Sequence, residues 1–277
     1  MNNRWKSLAA AALMVLGFAG GVWASEVVIN GSTTVLPFAQ VAVERFVAAH
    51  PEVKISISGG GTGNGIKGLI DGTAQIANAS RRIKESEISQ AKENGVTPFE
   101  TVVALDCIVA IVHPSNSVND LTLDQLKKIY MGEITNWKDV GGEDAPIAVV
   151  GRDSSSGTYG TWQEMVVEKE DKEKKSRVTA RAQVTASSGA MLTTVAENKL
   201  AIGYDGIGYI NDSIKPLTIQ GIAAEIATAK NASYPLSREL YMYTDGEPKD
   251  DVKAFIDYMC SADGQKIVVD TGFIPVH

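Results

Sequence analysis

The residues best suited to chemistry lie in one turn rich in glycine and hydroxyl side chains. Residues 151–160, GRDSSSGTYG, place Arg152, three serines and Thr158 just before a segment with helical apolar periodicity. The first turn of a helix leaves backbone N–H groups unpaired and carries a partial positive charge, and an arginine adds a planar fork of donors. This combination predicts an anion site at a helix start, with a simple polar helix cap as the alternative.

Three further turns repeat the order strand, donor-rich turn, helix. They are residues 30–34 (NGSTT), residues 59–65 (GGGTGNG) and residues 185–189 (TASSG). Each of them precedes apolar residues at helical spacing. One such turn could be a cap, but four in one chain predict several helix N-termini that converge on a common ligand.

Residues 1–24 have the pattern of an export signal. Arg4 and Lys6 precede an apolar run over residues 8–20, and a small-residue cleavage pattern ends at Ala24. The apolar run is shorter than the roughly 20 residues that a membrane-spanning helix needs. We therefore expect cleavage near Ala24 and a soluble mature protein in the periplasm.

Composition limits the classes of partner. The chain has 277 residues with 26 basic and 33 acidic side chains, and its net charge of −7 becomes −9 once Arg4 and Lys6 are removed. This balance argues against nucleic acid and against anionic lipid surfaces. It is compatible with a small anion, because a site can be locally positive in an acidic protein. The mature length suits two lobes of roughly 100 to 150 residues each.

Cysteine and histidine give no metal motif. Cys107 and Cys260 could form one disulfide in an oxidising compartment, or they could remain free thiols. The histidines at 50, 113 and 277 are scattered along the chain. We expect neither a metal site nor a cofactor.

Strand and helix patterns alternate along the chain, which predicts an α/β protein with largely parallel sheets. Residues 102–112 form a long, nearly continuous apolar run. Its length would allow one buried strand to cross from one lobe to the other.

The ordered set of motifs resembles a known family over essentially the whole mature chain. The motifs are GSTT at 31–34, GGTG at 60–63, ASR at 79–81, GRDSSSGT at 151–158 and FIDYMCS at 255–261 followed by GFIP at 272–275. In this order they resemble the periplasmic phosphate-binding proteins of bacterial phosphate ABC transporters.

The resemblance implies a type II periplasmic-binding-protein fold. In this α/β fold each of two lobes is a mainly parallel sheet flanked by helices, and a hinge joins the lobes. The implied first lobe comprises residues 25–104 and about 215–277, and the implied second lobe, residues 105–214, is inserted between these two parts.

The resemblance also implies the ligands. Hydroxyl and amide donors would come from both lobes, with one guanidinium from the second lobe. The expected ligand-binding residues are Ser32, Thr33, Thr34, Thr62, Ser80 and Arg81 in the first lobe, and Arg152, Ser155, Ser156, Gly157 and Thr158 in the second.

Two positions depart from the best-known family members. Arg81 stands where those proteins have an aspartate that accepts the proton of hydrogen phosphate. Asp153 follows Arg152 directly, whereas the best-known form has its aspartate two residues after the arginine. If Arg81 faces the site, selection against sulfate needs another acceptor. Asp153 is the candidate for this acceptor.

The function expected from these observations is capture of inorganic phosphate outside the cytoplasm, by hinge closure, for delivery to the permease of an ABC importer. A monomer is expected. One alternative is binding of another tetrahedral oxyanion such as sulfate, molybdate or tungstate. Alternatives of other classes are an adhesin that reuses the fold, and a phosphatase or esterase with Ser155 or Ser156 as nucleophile. No histidine adjoins a recognisable motif to serve as the base that such an enzyme needs.

Overall fold

The computed structural model describes residues 26–276. The predicted export signal lies outside these residues. The first third of the described chain, up to Val112, alternates strands and helices as predicted. Its elements are β1 Val27–Gly31, α1 Leu36–Ala49, β2 Ile55–Gly59, α2 Thr62–Ile70, β3 Ile76–Ala79, α3 Glu85–Glu93 and β4 Pro98–Val112.

The middle of the chain adds short strands and helices, with a 3-10 turn at Trp137–Val140 and a π turn at Gln163–Val167. The elements are β5 Asp120–Leu121, α4 Leu123–Met131, β6 Ala148–Arg152, α5 Gly157–Trp162, β7 Gln183–Thr185, α6 Ser188–Glu197 and β8 Ala201–Gly206.

The last part returns to longer elements after a 3-10 turn at Ile207–Tyr209. The elements are β9 Lys215–Pro216, β10 Thr218–Ile219, α7 Ile226–Lys230, β11 Ser237–Asp245, α8 Asp250–Cys260 and α9 Ala262–Asp270. Between residues 26 and 276, no helix is both long enough and apolar enough to cross a membrane.

A long mixed sheet in the order β2-β1-β3-β11-β4-β8-β6-β7 runs through both lobes. Each lobe contains a parallel set, β2-β1-β3 in the first and β8-β6-β7 in the second. The antiparallel strands β4 and β11 lie between these sets. Residues 98–107 of β4 pair with β11, whereas residues 108–112 pair with β8. The 15-residue strand β4 therefore passes from one lobe to the other.

Each lobe has its own core. In the first lobe, Phe38 of α1 packs edge-on against Phe273, with ring centroids 5.1 Å apart. In the second lobe, Trp162 stacks on Tyr204 at 4.3 Å. All four rings are buried. The change from the first core to the second falls between Ala104 and Cys107 of β4.

Residues 215–236 pack with the second lobe, whereas the expected boundary near residue 215 would place them in the first. Strand β9 pairs with the second-lobe end of β4, and β10 pairs with β5. Tyr234 and Leu236 are buried in the second core. The chain returns to the first lobe only at β11, because the apolar side chains of this segment pack against the second sheet.

The cysteines are both free. Cys107 is buried in β4, where its Sγ lies 3.8 Å from the hydroxyl of Ser237, and Cys260 ends α8. Burial raises the pKa of the Cys107 thiol to about 12. The disulfide considered from the sequence is therefore not formed.

Glycine at 65 permits α2 to lie directly on β1. A Cβ at this position would stand 2.6 Å from both the carbonyl oxygen of Asn30 and the Cα of Gly31. We expect Gly65→Ala to lower the free energy of unfolding by about 1–3 kcal/mol, because the backbone of β1 would have to move to make room for the new methyl group. Gly68→Ala, in the same helix but with its nearest neighbours at 3.4 Å, is the control. Thermal denaturation of both variants tests this, and equal midpoints would contradict it.

Candidate functional site

The predicted donor-rich turns do open helices. Ser156 precedes α5 and accepts the N–H of Tyr159 at 3.2 Å, and Ser187 precedes α6 and accepts the N–H of Ala190 at 3.1 Å. Ser32 accepts the N–H of Thr34 at 3.2 Å. The hydroxyls of Ser32, Ser156 and Ser187 therefore order their own turns, and neighbouring residues face the other lobe.

The turn after β1 brings Thr33 and Thr34 to the boundary between the lobes. Gly31 has φ +139°, and a Cβ there would lie 2.1 Å from the carbonyl oxygen of Asn78. The N–H of Ser32 bonds to the same oxygen at 2.8 Å. Contact with the end of β3 thus fixes the turn, and both threonines are buried.

Thr62 and Ser80 form a second pair of buried hydroxyls in the first lobe. The Ser80 N–H donates to Thr62 Oγ1 at 3.0 Å, and the two hydroxyl oxygens are 3.4 Å apart. Gly157 of the second lobe approaches them closely. A Cβ on Gly157 would stand 2.3 Å from Thr62 Oγ1 and 2.5 Å from Ser80 Oγ. The absence of a side chain at 157 is therefore required for this contact.

Arg152 reaches from the end of β6 into the lobe boundary, where it is buried. Its Nη2 donates to Thr33 Oγ1 at 3.1 Å, and its Nη1 donates to Ser188 Oγ at 3.2 Å. The N–H of Ser188, the first residue of α6, also donates to Thr33 Oγ1 at 3.3 Å. The turns at 30–34, 151–160 and 185–189 thus meet at one place.

A second contact between the lobes joins Thr34 and Thr158, whose hydroxyl oxygens are 2.9 Å apart. Arg238 of β11 donates to Thr158 Oγ1 at 3.1 Å and to the Ser80 carbonyl at 3.0 Å. We call the buried polar groups Thr33, Thr34, Thr62, Ser80, Arg152, Gly157, Thr158 and Ser188 the interlobe cluster.

Ser155 lies at the edge of this cluster and holds the lobes together through its backbone. Its carbonyl accepts the N–H of Gly63 at 2.8 Å, and its hydroxyl donates to the Gly60 carbonyl at 3.3 Å. Asp153 Oδ1 accepts the N–H of Ser155 at 2.8 Å and its hydroxyl at 2.5 Å. The carboxylate of Asp153 is thus engaged within its own turn.

Arg81 does not join the interlobe cluster, contrary to expectation. Its two terminal nitrogens donate to the two carboxylate oxygens of Glu87 at 2.8 and 2.7 Å, and Nη1 also reaches the Arg82 carbonyl at 3.0 Å. Burial raises the pKa of Glu87, but hydrogen bonds from Arg81 and from the Lys84 backbone outweigh it and hold that pKa below its usual range. This bidentate ion pair occupies the guanidinium.

The structure adds an ion pair that the sequence analysis missed. Arg238 donates from Nε and Nη2 to Asp106 Oδ2 at 2.9 and 2.7 Å, and the N–H of Ile207 donates to Asp106 Oδ1 at 2.9 Å. Burial raises the pKa of Asp106, against the effect of Arg238. The available signal was a single acidic residue within the apolar run 102–112.

Asp205, at the end of β8, was also missed. It is fully buried, and its Oδ1 accepts the Ser188 hydroxyl at 2.8 Å and the N–H of Gly206 at 2.9 Å. Burial, opposed by the charge of Arg152, raises the pKa of Asp205 to about 6. The signal in the sequence was again one carboxylate inside an apolar strand, residues 201–206.

The arrangement suits the binding of an anion. The donors are hydroxyls, backbone amides and two guanidiniums, which match the oxygens of a tetrahedral anion. Ser156 caps a helix, and Ser155 bonds to a carboxylate without an intervening base. Within residues 26–276, the exposed His50 lies 3.5 Å from Glu52 and the half-buried His113 hydrogen-bonds to Ser115. No group of three or more potential metal ligands is found among these residues.

Comparisons with known proteins agree with this architecture. Residues 21–263 match the family described as PBP superfamily domain. The phosphate-binding protein PstS of Bacillus subtilis is 34% identical over 250 residues, which cover 90% of this chain and 80% of that protein. PstS of Borreliella burgdorferi is 34% identical over 254 residues, covering 90% and 89%.

Solved structures show the same fold. A phosphate ABC transporter substrate-binding protein of Clostridium perfringens, solved with bound phosphate, is 37% identical with a TM-score of 0.83, covering 91% of this chain and all of that one. An ABC-type phosphate transport receptor of Vibrio cholerae is 33% identical with a TM-score of 0.73, covering 90% and 99%. By its sequence and its two-lobed fold, the chain belongs to the PstS family of phosphate-binding proteins in the PBP superfamily.

Proposed function

We propose that this protein binds inorganic phosphate between its lobes, outside the cytoplasm, and delivers it to the membrane permease of an ABC importer. The observation that carries the proposal is the meeting of the two lobes in two hydrogen-bonded pairs, Thr33 with Arg152 and Thr34 with Thr158. A desolvated dianion needs many donors, and closure supplies them from both sides. The names of its relatives support phosphate as the anion.

The proposed ligands are Thr33, Thr34, Thr62, Ser80, Arg152, Gly157 and Thr158. Ser32, Ser155 and Ser156 support the turns and the contact between lobes. In this proposal the protein acts as a monomer, without a cofactor, and works by binding alone. Ser155 bonds to Asp153 and Ser156 caps α5, which gives both hydroxyls a structural role.

Calorimetric titration with four anions tests the ligand. We expect the mature, phosphate-stripped protein to bind phosphate with a Kd of about 1 μM or lower, which corresponds to a binding free energy of about −8 kcal/mol. It should bind sulfate, molybdate and tungstate more weakly. A tighter complex with any of the other three would contradict phosphate as the ligand. Turnover of p-nitrophenyl phosphate by the same sample would contradict a purely binding function.

Arg152 is expected to contribute strongly to affinity. Replacing it with alanine removes a buried charge opposite the bound dianion, so we expect Arg152→Ala to weaken phosphate binding by more than about 2 kcal/mol, roughly 30-fold in Kd. Arg177→Ala is the matched control in the same lobe, because that guanidinium is exposed and pairs with Glu168. Equal affinity of the two variants would show that Arg152 is only structural.

Gly157 tests whether close contact between the lobes is needed for binding. The methyl group of Gly157→Ala would overlap Thr62 Oγ1 and Ser80 Oγ, so we expect at least about tenfold weaker phosphate binding, or 1.4 kcal/mol. Small-angle scattering with phosphate present should show that Gly157→Ala is more open than the wild type. Gly189→Ala, at the exposed start of α6 with no atom within 4 Å of its new Cβ, should bind normally. Unchanged affinity of Gly157→Ala would contradict closure onto these hydroxyls.

A further inference from the structure

A buried carboxylate oxygen beside the interlobe cluster has no hydrogen-bond partner. Asp205 Oδ1 accepts two hydrogen bonds, from Ser188 and Gly206, but Oδ2 is buried and accepts none. The Nε of Arg152 is likewise a buried donor without an acceptor. Ser188 links the two residues, since its hydroxyl contacts both Arg152 Nη1 and Asp205 Oδ1. An unpaired donor and an unpaired acceptor thus lie on either side of one hydroxyl.

Buried polar atoms without partners are costly, so each calls for a partner. Hydrogen phosphate offers both kinds: unprotonated oxygens that accept from a guanidinium, and one O–H that donates to a carboxylate. Sulfate offers acceptors alone. The free oxygen of Asp205 therefore matches the one feature in which the two anions differ.

The other nearby carboxylates already accept hydrogen bonds or are not fully buried. Both oxygens of Asp106 accept hydrogen bonds, from Arg238 and from the N–H of Ile207. Asp153 Oδ1 accepts both donors of Ser155, within its own turn. Glu87 is held by Arg81. Among residues 26–276, the buried carboxylate oxygen that lacks a partner belongs to Asp205.

We propose that Asp205, held by Ser188, is the acceptor that recognises the proton of hydrogen phosphate and rejects sulfate. The proposal rests on the proposed function and adds to it a specificity-determining residue in the second lobe. A sulfate oxygen against the carboxylate would place two negative charges together without a proton between them, which is strongly unfavourable in a buried site.

The charge state of Asp205 suits this role. Arg152 on β6, Arg238 on β11, Asp106 on β4, and Tyr204 and Tyr209 beside it are the charged and titratable groups around the carboxylate. With a pKa of about 6, Asp205 is ionised at pH 7.5 and accepts a proton donor. Below pH 6 it becomes protonated, and its O–H can donate to sulfate.

Titration of the wild type and of Asp205→Asn with phosphate and with sulfate at pH 7.5 tests the proposal. We expect the ratio of sulfate Kd to phosphate Kd to fall at least tenfold in Asp205→Asn, because the amide donates to sulfate and no longer accepts as a carboxylate. Asp153→Asn is the competing variant and should keep the wild-type ratio. An unchanged ratio in Asp205→Asn, or a fall in Asp153→Asn instead, would overturn the proposal.

A pH series with sulfate gives a second measurement that does not depend on a variant that folds. Sulfate does not titrate between pH 5 and 8, so a change reports on the protein. We expect wild-type sulfate affinity to be at least tenfold higher at pH 5 than at pH 8, with the increase levelling off below about pH 6, and the profile of Asp205→Asn to be flat. Equal sulfate affinity of the wild type at both pH values, or no binding at either, would overturn the proposal.

The wild-type titration with phosphate separates this inference from the function on which it rests. If the wild type does not bind phosphate, the proposed function fails. If it binds phosphate in preference to sulfate and Asp205→Asn has the same preference, the role of Asp205 alone fails.

Discussion

The guanidinium of Arg152 is buried between the two lobes without a carboxylate bonded directly to it among residues 26–276. It donates instead to the hydroxyls of Thr33 and Ser188 and, at 3.5 Å, to the Ala186 carbonyl. A buried cation of this kind is costly unless an opposite charge comes close. Asp205, one hydroxyl away, compensates part of this cost. A bound dianion would compensate the rest, which couples anion binding to closure of the lobes.

The hinge is part of the same network. Strand β4 crosses between the lobes at Asp106, where the core changes from the first to the second. Its partner Arg238 donates to Ser80 in the first lobe and to Thr158 in the second. One buried ion pair thus touches the hinge strand, the Ser80 carbonyl in the first lobe and the Thr158 hydroxyl in the second. Opening of the lobes would have to break or rearrange these contacts, so the hinge strands and the site move together.

Local pattern was sufficient for much of the fold and for the location of the candidate site. The four donor-rich turns follow strand ends and begin helices, because caps and apolar periodicity are local properties that can be read from neighbouring residues. Chain order then places these turns at the same edge of parallel sheets. Individual ligands such as Thr33 and Thr62 followed from the resemblance to the family rather than from this local pattern.

The remaining features depend on contacts between residues far apart in the chain. Asp106 and Arg238 are 132 positions apart, and neither belongs to a motif. Arg81 pairs with Glu87, six residues later on α3, and the sequence spacing did not predict this ion pair. The segment 215–236 carries no signal for which sheet it covers. Such pairings are decided by tertiary packing, where a local pattern gives little information.

The cluster also explains how an acidic protein can hold an anion. Arg152 and Arg238 are matched by Asp106 and Asp205, so the charged side chains buried around the cluster sum to zero. Net charge therefore supplies little of the attraction, so hydroxyls and backbone amides that are already oriented by their own turns must add to the contribution of Arg152. Neutral donors of this kind stabilise phosphate and sulfate alike. In such a site the selection between the two anions depends on where an acceptor is placed rather than on the total charge.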